Sequence, residues 1–190
     1  MKRVVSVFIF VVFAVASFAQ TQHLKFMGIP LNGSVQNFQQ KLATKGVRLN
    51  TLANKTLPTG VRAFKGVFSG NEADIYVYYN SKTKIVYRAK AVIEASNLTH
   101  AENLYETIKD GLISKYENNS FFTTSEQEEH ESMTFAVFST NNQEQLSLGI
   151  IGLYVSKSVY SWQENERWIH VDYEDVANSN KNEVLNGDDL

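Results

Sequence analysis

Residues 61–94 read VRAFKGVFSGNEADIYVYYNSKTKIVYRAKAVIE, and their period of two settles the architecture around them. Residues 61–69 alternate Phe64, Gly66 and Phe68 against Ala63, Lys65 and Val67. Residues 73–79 set Ile75, Val77 and Tyr79 against Tyr76 and Tyr78, and residues 84–94 set Ile85, Tyr87, Ala89, Ala91 and Ile93 against Val86, Arg88, Lys90 and Glu94. Successive side chains of a strand point to opposite faces, so the first set of each segment marks a core side and the second an outer side. The breaks at Ser69-Gly70-Asn71 and Asn80-Ser81-Lys82 have the composition of hairpin loops. An antiparallel meander is predicted.

Helical periods flank the meander. Upstream, His23 to Leu31 reads as a short extended opening that ends at Ile29-Pro30, because the residue before proline avoids the helical region. Ser34 is the expected N-cap of a helix whose Val35, Phe38 and Leu42 share one face, with Gly46 past its last turn. Downstream, a helix is expected to begin at Thr99, with Glu102 completing a capping box, and to line up Ala101, Leu104, Tyr105, Ile108, Leu112 and Tyr116. Further strands are predicted near 121–124 and over 133–140, 146–156 and 167–173, with a hairpin signal at Asn141-Asn142-Gln143. Residues 176–190 hold four asparagines and little to bury, and read as a disordered, frayed tail. Helix, meander, helix, strands is a pseudo-repeat with halves at about 32–95 and 98–175. It predicts a single α+β domain over residues 20–175, with both helices packed on one face of antiparallel sheet and the other face open.

The first residues carry a different signal. Lys2 and Arg3 precede an apolar run from Val7 to Val15, and Ser17-Phe18-Ala19 supplies the small residues a signal peptidase requires. Residues 1–19 are therefore expected to be a signal peptide cut before Gln20, since the run is well short of the roughly 20 residues of a membrane-spanning helix. Taking 19 from 190 leaves 171 residues, and the chain contains no cysteine, so neither disulfides nor a lipid-modified cysteine is available. The expectation is a periplasmic or secreted protein, soluble and with no membrane span after cleavage. Without Lys2 and Arg3, 16 basic residues of the 18 face 20 acidic ones, a formal charge of −4 that argues against nucleic acid as a partner.

No glycine-flanked serine elbow and no phosphate-binding glycine pattern occurs, and the histidines at 23, 100, 130 and 170 lie too far apart to suggest a metal site. His130 lies in the acidic run 128–131, which reads as a solvated loop rather than a cation site. No cofactor, metal or catalytic residue is assigned. A minor alternative is a small hydrolase or metal-assisted enzyme using His170, Asp172 and Glu174, which alternate along the last strand opposite Ile169, Val171 and Tyr173. The main candidate site is the outer sheet face, where Tyr76, Tyr78, Arg88, Lys90 and Trp168, with His170, fall opposite the core positions. Tyrosine, tryptophan and arginine dominate interfaces because they bury large areas at low entropy cost.

The opening HLKFMGIPLNG (23–33), the helix through Phe38 and Leu42 to Lys45-Gly46, and the context Phe18-Ala19-Gln20 resemble small exported Bacteroidetes proteins of unknown function. In layout the two halves are similar to beta-lactamase-inhibitor-like periplasmic modules. That resemblance implies a sheet face that binds protein partners and supplies no catalytic residue. Together these readings lead to the expectation of a non-enzymatic binding module for a protein or envelope ligand. A structural part of an envelope assembly is a third possibility.

Overall fold

The computed structural model describes residues 22–127, 130–141, 144–157 and 166–187. The expected signal peptide and its cut before Gln20 lie outside the described residues, as do Asn142-Gln143 of the predicted hairpin loop and residues 188–190.

The chain opens with a two-stranded hairpin, β1 (Lys25–Phe26) and β2 (Ile29–Pro30). Its loop residues Met27 and Gly28 both have positive φ (51° and 77°), the pattern of the tight turn whose twist matches its flanking strands. Next comes α1 (Val35–Ala43), capped as expected by Ser34, whose Oγ accepts from the Asn37 amide at 3.3 Å. A two-residue strand β3 (Arg48–Leu49) and a short 3-10 helix (Ala53–Lys55) occupy the stretch that shows no period.

The predicted meander is present as β4 (Val61–Phe68), β5 (Asn71–Tyr79) and β6 (Val86–Ala95). After it come α2 (Leu98–Tyr116), then β7 (Ser120–Gln127), β8 (His130–Asn141), β9 (Glu144–Lys157) and β10 (Arg167–Asp175), and finally α3 (Val176–Gly187). All eight strands from β3 onward form one antiparallel sheet in the order β3-β4-β5-β6-β10-β9-β8-β7. The two meanders therefore meet where the last strand pairs with β6, Arg167 opposite Ala95 and Glu174 opposite Arg88. This is the predicted α+β architecture, with helices against one face of an antiparallel sheet.

Three expectations are corrected. In β6 the buried residue is Val86, not Ile85 or Tyr87, because Tyr79 pairs with Val86 while Tyr78 pairs with Arg88. Tyr87 is the extra residue of a β-bulge, which shifts the alternation by one position and moves Tyr87 off the core side. The second helix is capped two residues before Thr99: Asn97 is the N-cap, its Oδ1 accepting from the His100 amide at 2.9 Å, so Glu102 closes no capping box. The third is the disordered tail, of which residues 176–187 form α3. Asp175 starts that helix by accepting from the Asn178 amide at 3.0 Å, and Asn178 in turn donates from its side chain to the Leu31 carbonyl at 2.7 Å. This asparagine-rich segment is tied by hydrogen bonds to the opening of the chain and, through Asn182, to Asn80.

A single cluster of buried side chains lies between sheet and helices. It joins Val35, Phe38 and Leu42 of α1, the predicted stripe of α2 from Ala101 to Leu112 with Tyr116 only part-buried against it, Phe64, Ile75, Ala89, Ala91 and Ile93 of the first meander, and Phe135, Ile151, Leu153, Ile169 and Val171 of the second. Phe26 of the opening hairpin is fully buried within it, stacked on Phe68 and edge-on to Tyr173, each at 5.4 Å. Among the described residues no helix is long and apolar enough to cross a membrane.

Candidate binding face on the outer side of the sheet

Because inner positions are filled by the core, the residues between them on β5, β6, β10, β9 and β8 share the opposite face. Register arranges them in rows across the strands. One row runs Tyr76, Lys90, Asp172, Gly152, Thr134; on one side of it lies Tyr78, Arg88, Glu174, Ile150, and on the other Asp74, Val92, His170, Tyr154, Ser132. Trp168 lies in the next row, between Glu94 and Ser156. All five predicted binding residues, Tyr76, Tyr78, Arg88, Lys90 and Trp168, thus fall within four adjacent rows, each of them part-buried. α2 packs on β6, β9 and β10 through its buried stripe, on the side opposite these residues.

The side chains interlock diagonally. The Arg88 guanidinium forks onto Asp172, Nε to Oδ1 at 2.8 Å and Nη2 to Oδ2 at 2.5 Å, beneath the Tyr78 ring, whose centre lies 4.9 Å from the guanidinium carbon. The hydrogen bond to Asp172 holds Arg88 above its ordinary pKa, so the pair is a fixed, neutral unit. Lys90 differs. Its Nζ donates to Tyr154 Oη at 2.6 Å and, among the described residues, forms no ion pair with a carboxylate. Burial raises the phenol pKa values of Tyr76 and Tyr78, so both remain O–H donors at neutral pH.

Tyr154 stacks flat on His170, ring centres 4.5 Å apart and 6° from parallel, and Ser156 Oγ lies 2.6 Å from His170 Nε2. The other imidazole nitrogen, Nδ1, is buried without a hydrogen-bond partner. Burial first, and then the Lys90 ammonium, push the His170 pKa down to about 4, against the opposing pull of Asp172. The ring is therefore neutral across physiological pH.

A titration prediction arises here. In a proton-nitrogen NMR titration His170 is expected to titrate near pH 4. Lys90→Met is expected to move it upward toward, without reaching, the ordinary value near 6.5, since desolvation is the larger cause. The unfolded chain binds this proton more readily than the folded one, so stability attributable to His170 is lost as pH falls from about 6.5 to about 4. An unchanged midpoint in Lys90→Met would contradict the assigned proximity.

Beside Lys90 the face is indented. Gly152 stands between Thr134 and Asp172 in the register, and a depression of about 420 Å³ opens there, lined among others by Ser132, Thr134, Ile150, Tyr154, Asp172 and Glu174. A β-carbon at Gly152 would meet only the Asp172 Cβ, at 4.0 Å, so packing of the fold does not demand the glycine. Its effect is to leave the depression open.

The alternative His170, Asp172 and Glu174 set does share this face, as the alternation predicts, but each member has its own partner. His170 contacts Ser156, Asp172 is forked by Arg88, and Glu174 accepts from the Ser179 hydroxyl. The depression is lined by the two carboxylates and not by the imidazole. Among the described residues no group of three or more His, Asp or Glu side chains is placed to hold a metal ion; Glu128 and Glu129 beside His130 lie outside that set.

Gly152, Tyr154 and Ser156 complete the face and were not singled out from the sequence. They alternate with the buried Ile151 and Leu153, so the same period of two would have placed them outward once the strand was given a core side. Their position beside Asp172 and His170 depends on the β9–β10 register, which has no local sequence signal. The chain matches no protein-family model, and no curated protein or solved structure is significantly similar to it.

Proposed function

We propose that this is an exported, periplasmic or secreted, non-enzymatic binding module that recognises a protein or other envelope ligand through the outer sheet face. The observation that carries the reading is the gathering of Tyr76, Tyr78, Tyr154, Trp168, Arg88 and Lys90 on one uncovered face around the Gly152 depression. Rigid aromatic groups surround an ammonium that has no carboxylate partner within the described residues, next to a depression. Such a surface gains energy from stacking and from an incoming acceptor while losing few side-chain rotamers.

The test is a triple substitution, Tyr76→Ala, Arg88→Ala and Trp168→Ala, compared with wild type against the ligand captured from envelope extract and then purified. Affinity for that ligand is expected to fall at least about a hundredfold, as loss of central aromatic and arginine anchors typically does. Urea unfolding must show the variant folded, and Trp168→Ala alone supplies the comparison if the triple variant is not. Undiminished affinity in a folded variant rejects the reading.

The Ser156–His170 contact favours a hydrolase as the second reading. A base with a pKa of about 4 and an unpartnered Nδ1 lacks the orienting carboxylate that activates a serine, which places this reading behind the first. Ester hydrolysis abolished by Ser156→Ala would reverse that order.

A further inference from the structure

A second concavity, on the helix side of the sheet, has a chemistry of its own. It is about 660 Å³, within the roughly 300–1,000 Å³ typical of small-molecule pockets. It lies where the opening hairpin, the end of α2 and strands β8 and β9 come together, and Leu24, Val137 and the half-exposed Leu148 give it an apolar lining. No carboxylate lines it. Lys25 of β1 and Lys115 in the last turn of α2 stand on its wall, and Lys45, just past α1, brings its Nζ close to Gly28, another wall residue. Among the described residues none of the three lysines makes an ion pair, Lys115 Nζ lying instead 4.8 Å from the Tyr116 ring centre, and all three are exposed.

Two lysines thus line an apolar hollow and a third stands beside its wall, and among the described residues none of them is ion-paired with an acidic side chain. His23, which also lines the hollow, has its Nδ1 engaged with Asp175 at 3.0 Å. Mutual repulsion of like charges would scatter unpaired lysines over a surface of net negative charge. Their gathering about one hollow favours a ligand with a negative head and a hydrocarbon body. We infer that this pocket binds a monomeric single-chain amphiphile with an anionic headgroup, its chain against Leu24, Val137 and Leu148 and its head between Lys25 and Lys115. This site is separate from the outer face and does not depend on the function proposed for that face.

Decanoate, kept below its micelle concentration, is the probe, with decyltrimethylammonium as the control of opposite charge, each titrated calorimetrically into the purified protein. Decanoate is expected to saturate a single site and the cation to give at least about tenfold weaker binding, the factor that about 1.4 kcal/mol of charge preference produces. Lys25→Glu with Lys115→Glu, both on exposed side chains, is expected to weaken decanoate at least as much while urea unfolding stays unchanged. Amide NMR shifts should move at Gly28 and Leu148 and stay fixed at Tyr154 and His170. Equal affinity for the cation, indifference to the double charge reversal, or shifts confined to the outer face would overturn the inference. So would flotation with anionic phospholipid vesicles without any binding of the monomer, which would make the basic patch a membrane contact.

Discussion

Replacing Asp175 by alanine is expected to lower the stability of this protein by about 3–5 kcal/mol, the range seen when one partner of a buried pair is removed. Its carboxylate has no solvent exposure. It accepts from the Leu24 amide at 2.9 Å and the Asn178 amide at 3.0 Å, and from His23 Nδ1 at 3.0 and 3.1 Å. One side chain therefore ends β10, caps α3 and ties both to the opening segment. Alanine leaves the two backbone donors and the imidazole without their acceptor, and each orphaned buried donor alone costs about 1–3 kcal/mol. Asparagine keeps one acceptor oxygen and should fall between wild type and alanine. Equilibrium urea unfolding measures the difference. A loss below about 1 kcal/mol would show that the capping of α3 and the anchoring of Leu24 contribute little, since a lone N-cap is already worth about that much.

A change at Gly149 should be nearly as damaging by a different mechanism. Gly149 pairs with Asp175 at the end of the β9–β10 ladder, and Val137 opposite it on β8 is the last residue before a register shift that leaves Leu148 extra. A β-carbon built at Gly149 would lie 2.2 Å from the Glu174 carbonyl oxygen and 2.9 Å from a Leu24 methyl. The first contact is with backbone, which yields only if the end of the ladder separates. Gly149→Ala is accordingly expected to lose about 3 kcal/mol, the upper part of the usual range for overpacking. Gly152→Ala, three residues away with open space before it, should stay within about 0.5 kcal/mol of wild type, as surface changes do. The pair can be compared in one set of urea curves. Equal effects would mean that the two glycines are present for the same reason, which the geometry denies. Leu24 touches the site of each large change, so Asp175→Ala combined with Gly149→Ala should be less than additive.

These two sites mark the boundary of what the chain reveals locally. The alternation over 61–94 was sufficient to predict a meander and to put Tyr76, Tyr78, Arg88 and Lys90 on one face, because a strand's side-chain period needs only neighbours in sequence. The same holds for the α2 stripe, where 3.6-residue spacing placed Ala101, Leu104, Tyr105, Ile108 and Leu112 inward, and they are buried. The bulge at Tyr87 was not visible, since the extra residue exists only relative to the partner strand β5. The last segment was misjudged for a related reason. Its asparagines and serines offer no apolar stripe, and the role of Asn178 and Asn182 as hydrogen-bond partners of Leu31 and Asn80 depends on segments far away in sequence.

From its sequence alone this protein is determined to be two helix-and-meander halves around an apolar interior, with aromatic and basic residues turned away from that interior. Local periodicity carries this, because burial of one face is decided residue by residue along each helix and strand. Tertiary structure alone decided that β10 enters between β6 and β9, bringing Trp168, His170 and Asp172 beside Arg88, Lys90 and Tyr154, and that the opening hairpin is locked to Asp175. Strand order and register come from long-range pairing and hydrogen bonds, which link residues up to 155 positions apart. No window along the chain contains both partners.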